Sequence, residues 1–65
     1  MADGFYKAVT VELSRLGFVR KGGGKGSHEK WFGGADDLTL IVPRNLKSRH
    51  TANAILKDAG STTTF

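Results

Sequence analysis

Four of the five residues at positions 22 to 26 are glycine, Gly22-Gly23-Gly24-Lys25-Gly26. Neither a helix nor a strand accommodates that density of residues without a Cβ, because glycine loses more backbone freedom on ordering than any other residue. The cluster is therefore a link, and what flanks it reads as strand: Phe18-Val19-Arg20-Lys21 before it and Ser27-His28-Glu29-Lys30-Trp31-Phe32 after it. A short glycine-rich link between two strand-like runs predicts a hairpin. The rival reading is a phosphate-cradling loop, and it fails on context. That pattern needs G-x-x-x-x-G-K-[ST] opening a helix, whereas here Lys25 precedes the last glycine and a strand follows. Backbone amides and Lys25 in such a loop still offer contacts to a phosphate.

The rest of the chain falls into place around this hairpin. Gly33-Gly34-Ala35-Asp36-Asp37 reads as a second turn, and Leu38-Thr39-Leu40-Ile41-Val42 as a third strand with Leu38, Leu40 and Val42 on the core side, ended by Pro43. Alternation puts Ser27, Glu29 and Trp31 on one face of the middle strand and His28, Lys30 and Phe32 on the other. Before the strands, Phe5, Val9, Leu13 and Leu16 recur at steps of four, four and three, with Asp3 as a candidate cap and Gly17 as the stop. After them, Ser48 is placed to cap a second helix whose apolar stripe is Ala52, Ile55, Leu56 and Ala59, closed by Gly60. The expected fold is a single α+β domain over residues 1–65, in the order α-β-β-β-α. Its three-stranded antiparallel sheet carries both helices on one face, because two amphipathic helices must share one core with the sheet. The double-stranded-RNA-binding domain has this element order. Residues 61–65 read as a disordered tail.

Length and composition narrow the function. Sixty-five residues without a cysteine exclude an interdomain cleft, a disulfide staple and a thiolate nucleophile. Unbroken apolar runs do not exceed three residues, as in Leu40-Ile41-Val42, far short of the roughly 20 a membrane span requires. The opening Met1-Ala2-Asp3-Gly4 lacks the pattern of a signal peptide. A cytoplasmic protein is expected. The net charge of +4 is concentrated in two blocks: Arg15, Arg20, Lys21, Lys25 and Lys30 against Glu29, and then Arg44, Lys47, Arg49 and Lys57. Two basic blocks suit a polyanionic partner, whose condensed counterions they displace. Arg44, Lys47 and Arg49, grouped before a helix N-terminus that itself favours anions, are the candidates for phosphate contacts.

The catalytic options are few. The two histidines lie 22 positions apart and the closest carboxylate pair, Asp36-Asp37, sits in a turn, so no metal site and no metal cofactor are expected. Ser27 and His28 are neighbours on a strand and point to opposite faces, which argues against a Ser-His nucleophile. A histidine acting alone or with cations remains, and RNA suits it. RNA carries its own nucleophile in the 2′-hydroxyl, so cleavage needs only a base, an acid for the leaving 5′-oxygen and positive charge for the phosphorane. Trp31 reads as a core residue rather than a base-stacking platform, and His50 as solvated in the first turn of the second helix.

Gly17-Phe18-Val19, Lys25-Gly26-Ser27-His28, Val42-Pro43-Arg44 and Ile55-Leu56-Lys57-Asp58-Ala59-Gly60, in that order over residues 5 to 60, resemble the HicA family of toxin ribonucleases. The resemblance implies a double-stranded-RNA-binding-like fold, metal-independent endonucleolytic cleavage of mRNA, and a HicB-type antitoxin protein as partner. It places the family's functional histidine on His28, and beside it Lys25, Lys30 and Arg44 are the candidates, from charge and position in this sequence, for cationic support. The chain departs from the pattern at Glu29, where many relatives carry a second histidine, and at Lys47-Ser48-Arg49-His50-Thr51, where Gly-Thr is common. The alternative reading is a non-catalytic RNA-binding module of the same fold.

Overall fold

A computed structural model describes residues 4–22 and 28–65. The two apolar stripes become helices α1 (Tyr6–Arg15) and α2 (Arg49–Asp58), and the three strand-like runs become β1 (Phe18–Arg20), β2 (His28–Gly33) and β3 (Leu38–Pro43). The order is α-β-β-β-α, and the sheet is antiparallel in the order β1-β2-β3; the expected hairpin loop at Gly22 to Gly26 lies outside the described residues from position 23 on. Gly17 and Gly60 follow the helices with φ of 95° and 86°, the left-handed geometry that ends a helix where a Cβ would be strained. Ser48 caps α2, its hydroxyl oxygen accepting from the Thr51 amide at 3.2 Å. At α1 the cap position is Phe5, which has no side-chain cap. Asp3 lies outside the described residues, as do Lys25 and Ser27.

Both helices lie on one face of the sheet. Val9 and Leu13 from α1, Ala52, Ile55 and Leu56 from α2, and Phe18, Trp31 and Val42 from the strands form one buried cluster, to which Leu46 is added from the β3–α2 link. Trp31 is a core residue, as expected. Leu38 departs from expectation: it starts β3 beside the β2–β3 turn and is 38% exposed, because it borders an open hollow with Leu16, Asp58 and Ala59 instead of being packed over. Among the described residues nothing covers the opposite face, which exposes Val19, Phe32 and Ile41.

The segment 61–65, expected to be a tail without structure, instead lies against the helices. The Ser61 hydroxyl donates to Glu12 at 2.8 Å and that of Thr63 at 3.3 Å. The Phe65 amide donates to the Asn53 side-chain oxygen at 2.7 Å, and the Phe65 ring lies 5.2 Å from that of Phe5. The sequence hides this because Glu12 and Asn53 are polar helix residues whose partners are supplied from far along the chain.

Candidate functional site

The register of β2 determines which side chains share a surface. His28 pairs with Pro43, Lys30 with Ile41 and Phe32 with Thr39, and Val19 of β1 stands opposite Phe32. His28, Lys30 and Phe32 thus project in sequence along the uncovered face, and all three are exposed. Lys21, just past β1, places its ammonium 5.6 Å from the centre of the Phe32 ring, a cation–π contact. One strand therefore presents an imidazole, an ammonium and an aromatic ring in a row, with apolar Val19 and Ile41 beside them.

The alternate residues of β2, Glu29 and Trp31, point into the molecule. Glu29 is only 6% exposed, and four groups surround it. The Tyr6 hydroxyl donates to Oε1 at 2.6 Å and the Trp31 indole N–H to the same oxygen at 3.3 Å. Oε2 faces two guanidiniums, Arg20 Nη1 and Arg44 Nε, each at 3.4 Å. The hydrogen bond from Tyr6, the indole and the two cations hold the carboxylate below its ordinary pKa against the opposing effect of burial, and the same Tyr6 contact pushes the phenol up. A buried carboxylate is tolerable only with such compensation.

The expected site residues separate into two groups. His28 and Lys30 share the open face, as alternation requires. Arg44, just past β3, reaches Glu29 on the helix side. Lys47 and Arg49 are exposed ahead of and at the start of α2. Arg44 and Lys47 line, with Tyr6 and Lys7, a shallow depression of about 490 Å³. His50 is exposed and borders a separate hollow with Asn53 and Lys57. Glu29, Tyr6 and Arg20 carried no signal in the sequence as a group, since nothing local marks a strand glutamate as buried. Among the described residues no group of three His, Asp or Glu side chains is placed to hold a metal ion, and no helix is long and apolar enough to cross a membrane. Compared with protein-family models, curated proteins and solved structures, the chain matches none of them.

Proposed function

We propose that the protein is an endoribonuclease acting on single-stranded RNA, with His28 as its proton-transfer group, of the kind its resemblance to HicA toxins implies. The observation that carries this reading is the row His28, Lys30, Phe32 on the uncovered face of β2. A base stacks on an exposed aromatic ring without regard to sequence, a lysine tracks the backbone phosphate, and a histidine next in line reaches the ribose. The imidazole takes the 2′-hydroxyl proton, the 2′-oxygen attacks phosphorus, and the bond to the 5′-oxygen breaks as that oxygen receives a proton from the imidazolium. Lys30 counters the charge on the phosphorane, a role the sequence also offers to Lys25. In the HicA-like reading the setting is cytoplasmic mRNA, and a HicB-type antitoxin protein restrains the activity.

The test is a short RNA incubated with the wild type and with His28→Ala. Wild-type cleavage with 2′,3′-cyclic phosphate and 5′-hydroxyl ends is expected, persisting in EDTA because nucleophile and proton transfer are both supplied without a metal. His28→Ala is expected to bind RNA with an unchanged melting curve and to cleave 10²- to 10⁴-fold more slowly, the usual contribution of a positioned proton-transfer group. Binding without cleavage by the wild type would leave the non-catalytic RNA-binding module, and a fully active His28→Ala would remove His28 from the chemistry.

A further inference from the structure

Arg20, the last residue of β1, and Arg44, just past β3, converge on a single oxygen. Each has a guanidinium nitrogen 3.4 Å from Glu29 Oε2, so the two nitrogens are at most twice that distance apart. Two like charges so close to each other are costly unless anionic charge lies between them. Glu29 supplies one negative charge for two positive ones, leaving the cluster at +1. Neither contact is a tight fork: Arg20 reaches the carboxylate through one long hydrogen bond, and Arg44 is an ion pair only. A charge-assisted pair closes to about 2.8 Å when it is saturated. Arginine has five N–H donors, so among the described residues most of both forks have no partner, and the side chains are 57% and 64% exposed. The carboxylate itself cannot turn away, because Oε1 is fixed by Tyr6 and Trp31.

We propose that Arg20 and Arg44, held by Glu29 as a positioning residue, form a binding site for one backbone phosphate of the RNA, at one end of the sheet on the helix side. The site rests on the RNA reading above and adds Arg20 to the contact surface. It lies at the same end of the sheet as His28, whose neighbour in the chain is Glu29 and whose partner in register, Pro43, precedes Arg44. An RNA strand leaving the open face around this end meets the arginine pair and then the depression bordered by Lys7 and Lys47. Preordering matters because a free arginine surrenders rotamer entropy on gripping a phosphate, whereas these two have surrendered part of it already.

The experiment measures affinity of a labelled single-stranded RNA bearing 2′-O-methyl riboses, which resist 2′-oxygen attack, as a function of salt. Arg20→Gln is expected to weaken binding about tenfold at low salt and to reduce the log-log salt slope by about one contact. Arg20→Lys should keep the slope but lose affinity, since a point charge does not replace a fork. Glu29→Gln separates positioning from plain electrostatics by sign. Removing a negative charge next to a polyanion should tighten binding, whereas loss of the arginines' anchor should weaken it, and the weakening should vanish in an Arg20→Gln/Arg44→Gln background. Tighter or unchanged binding by a folded Glu29→Gln overturns the positioning role. Should that variant fail to fold, the exposed Arg20 substitutions decide. Steeply salt-dependent wild-type binding with an indifferent Arg20→Gln overturns the phosphate site and leaves the RNA reading standing. Wild-type protein that shows no salt-dependent RNA binding overturns the RNA reading and the site together.

Discussion

The Tyr6 hydroxyl donates to Glu29 Oε1 at 2.6 Å, joining the first turn of α1 to the middle strand across 23 positions of sequence. A hydrogen bond to a charged acceptor contributes about 1.5–3 kcal/mol, and half-buried Tyr6 belongs at the lower end of that range. Tyr6→Phe keeps the ring and removes only the donor. Its urea midpoint is expected to fall by the equivalent of about 1.5 kcal/mol with an unchanged m-value. A midpoint equal to that of the wild type would mean that Trp31 and the two arginines compensate fully.

Acid should loosen the hold of α1 on the segment 61–65. The Arg15 guanidinium, then the Ser61 and Thr63 hydroxyls, lower the Glu12 carboxyl to about 2, against a smaller opposing effect of burial. A carboxylate whose folded-state pKa is depressed stabilises the fold above its unfolded-state value, ordinarily about 4.3, and that contribution disappears as pH falls toward the folded-state value. Glu12→Gln should therefore melt below the wild type at pH 6, and the two melting temperatures should converge as pH approaches 2. A gap that is constant across this range would mean that the contact is not ionic. Amides 61–65 should exchange faster in the variant, since Glu12 anchors both hydroxyls of that segment.

Two glycines with similar backbones should respond differently to alanine. Gly34 has φ of 76°, and a Cβ there would stand 2.6 and 2.7 Å from two Phe18 ring atoms. The strained backbone and the overpacked buried ring together cost roughly 2–4 kcal/mol. Gly22, at φ of 69°, has nothing within 4 Å of its would-be Cβ, so Gly22→Ala should cost only about 1 kcal/mol of backbone strain. For a chain whose whole stability is on the order of 3–10 kcal/mol, Gly34→Ala should be visibly unfolded at moderate urea and Gly22→Ala folded. Equal midpoints would show that the Phe18 ring moves aside freely.

Local chemistry explains which parts of this fold are legible in the sequence. Gly17, Ser48 and Gly60 act on their own few residues, and the stripes of α1 and α2 bury the side chains that their spacing selects, so element order and core could be read directly. Alternation on β2 also separates Glu29 and Trp31 from His28, Lys30 and Phe32. What alternation does not say is that the Glu29 face is the inner one. A charged residue is expected outward, and the groups that make its burial tolerable come from positions 6, 20, 31 and 44. Leu46 escaped for a related reason. It is 2% exposed, and its carbonyl accepts the Phe5 amide at 2.6 Å, yet it sits in a polar link with no periodicity to mark it. The same holds for Arg44, whose basic character was evident but whose carboxylate partner was not.

The exposed ring of Phe32 offers the most direct check on the open face as an RNA surface. Phe32 is 36% exposed, lies opposite Val19 and Thr39 on neighbouring strands, and has the Lys21 ammonium near it. Base stacking on such a ring contributes about 1–3 kcal/mol by alanine substitution, roughly 5- to 150-fold in affinity. Phe32→Leu retains apolar surface of similar size and loses only the aromatic face, so it should weaken RNA binding by several-fold while costing less than about 1.5 kcal/mol of stability. Ile41→Ala provides the control on the same face, 48% exposed and opposite Lys30, with no ring to stack. It should leave affinity within about twofold of wild type, as single rim contacts usually do. Salt distinguishes stacking from charge: the Phe32→Leu defect should persist with an unchanged log-log slope, because no phosphate contact is removed. A slope that falls in Phe32→Leu would mean that the ring acts by holding Lys21 over a phosphate, and equal losses in Phe32→Leu and Ile41→Ala would mean that the face binds by apolar area alone.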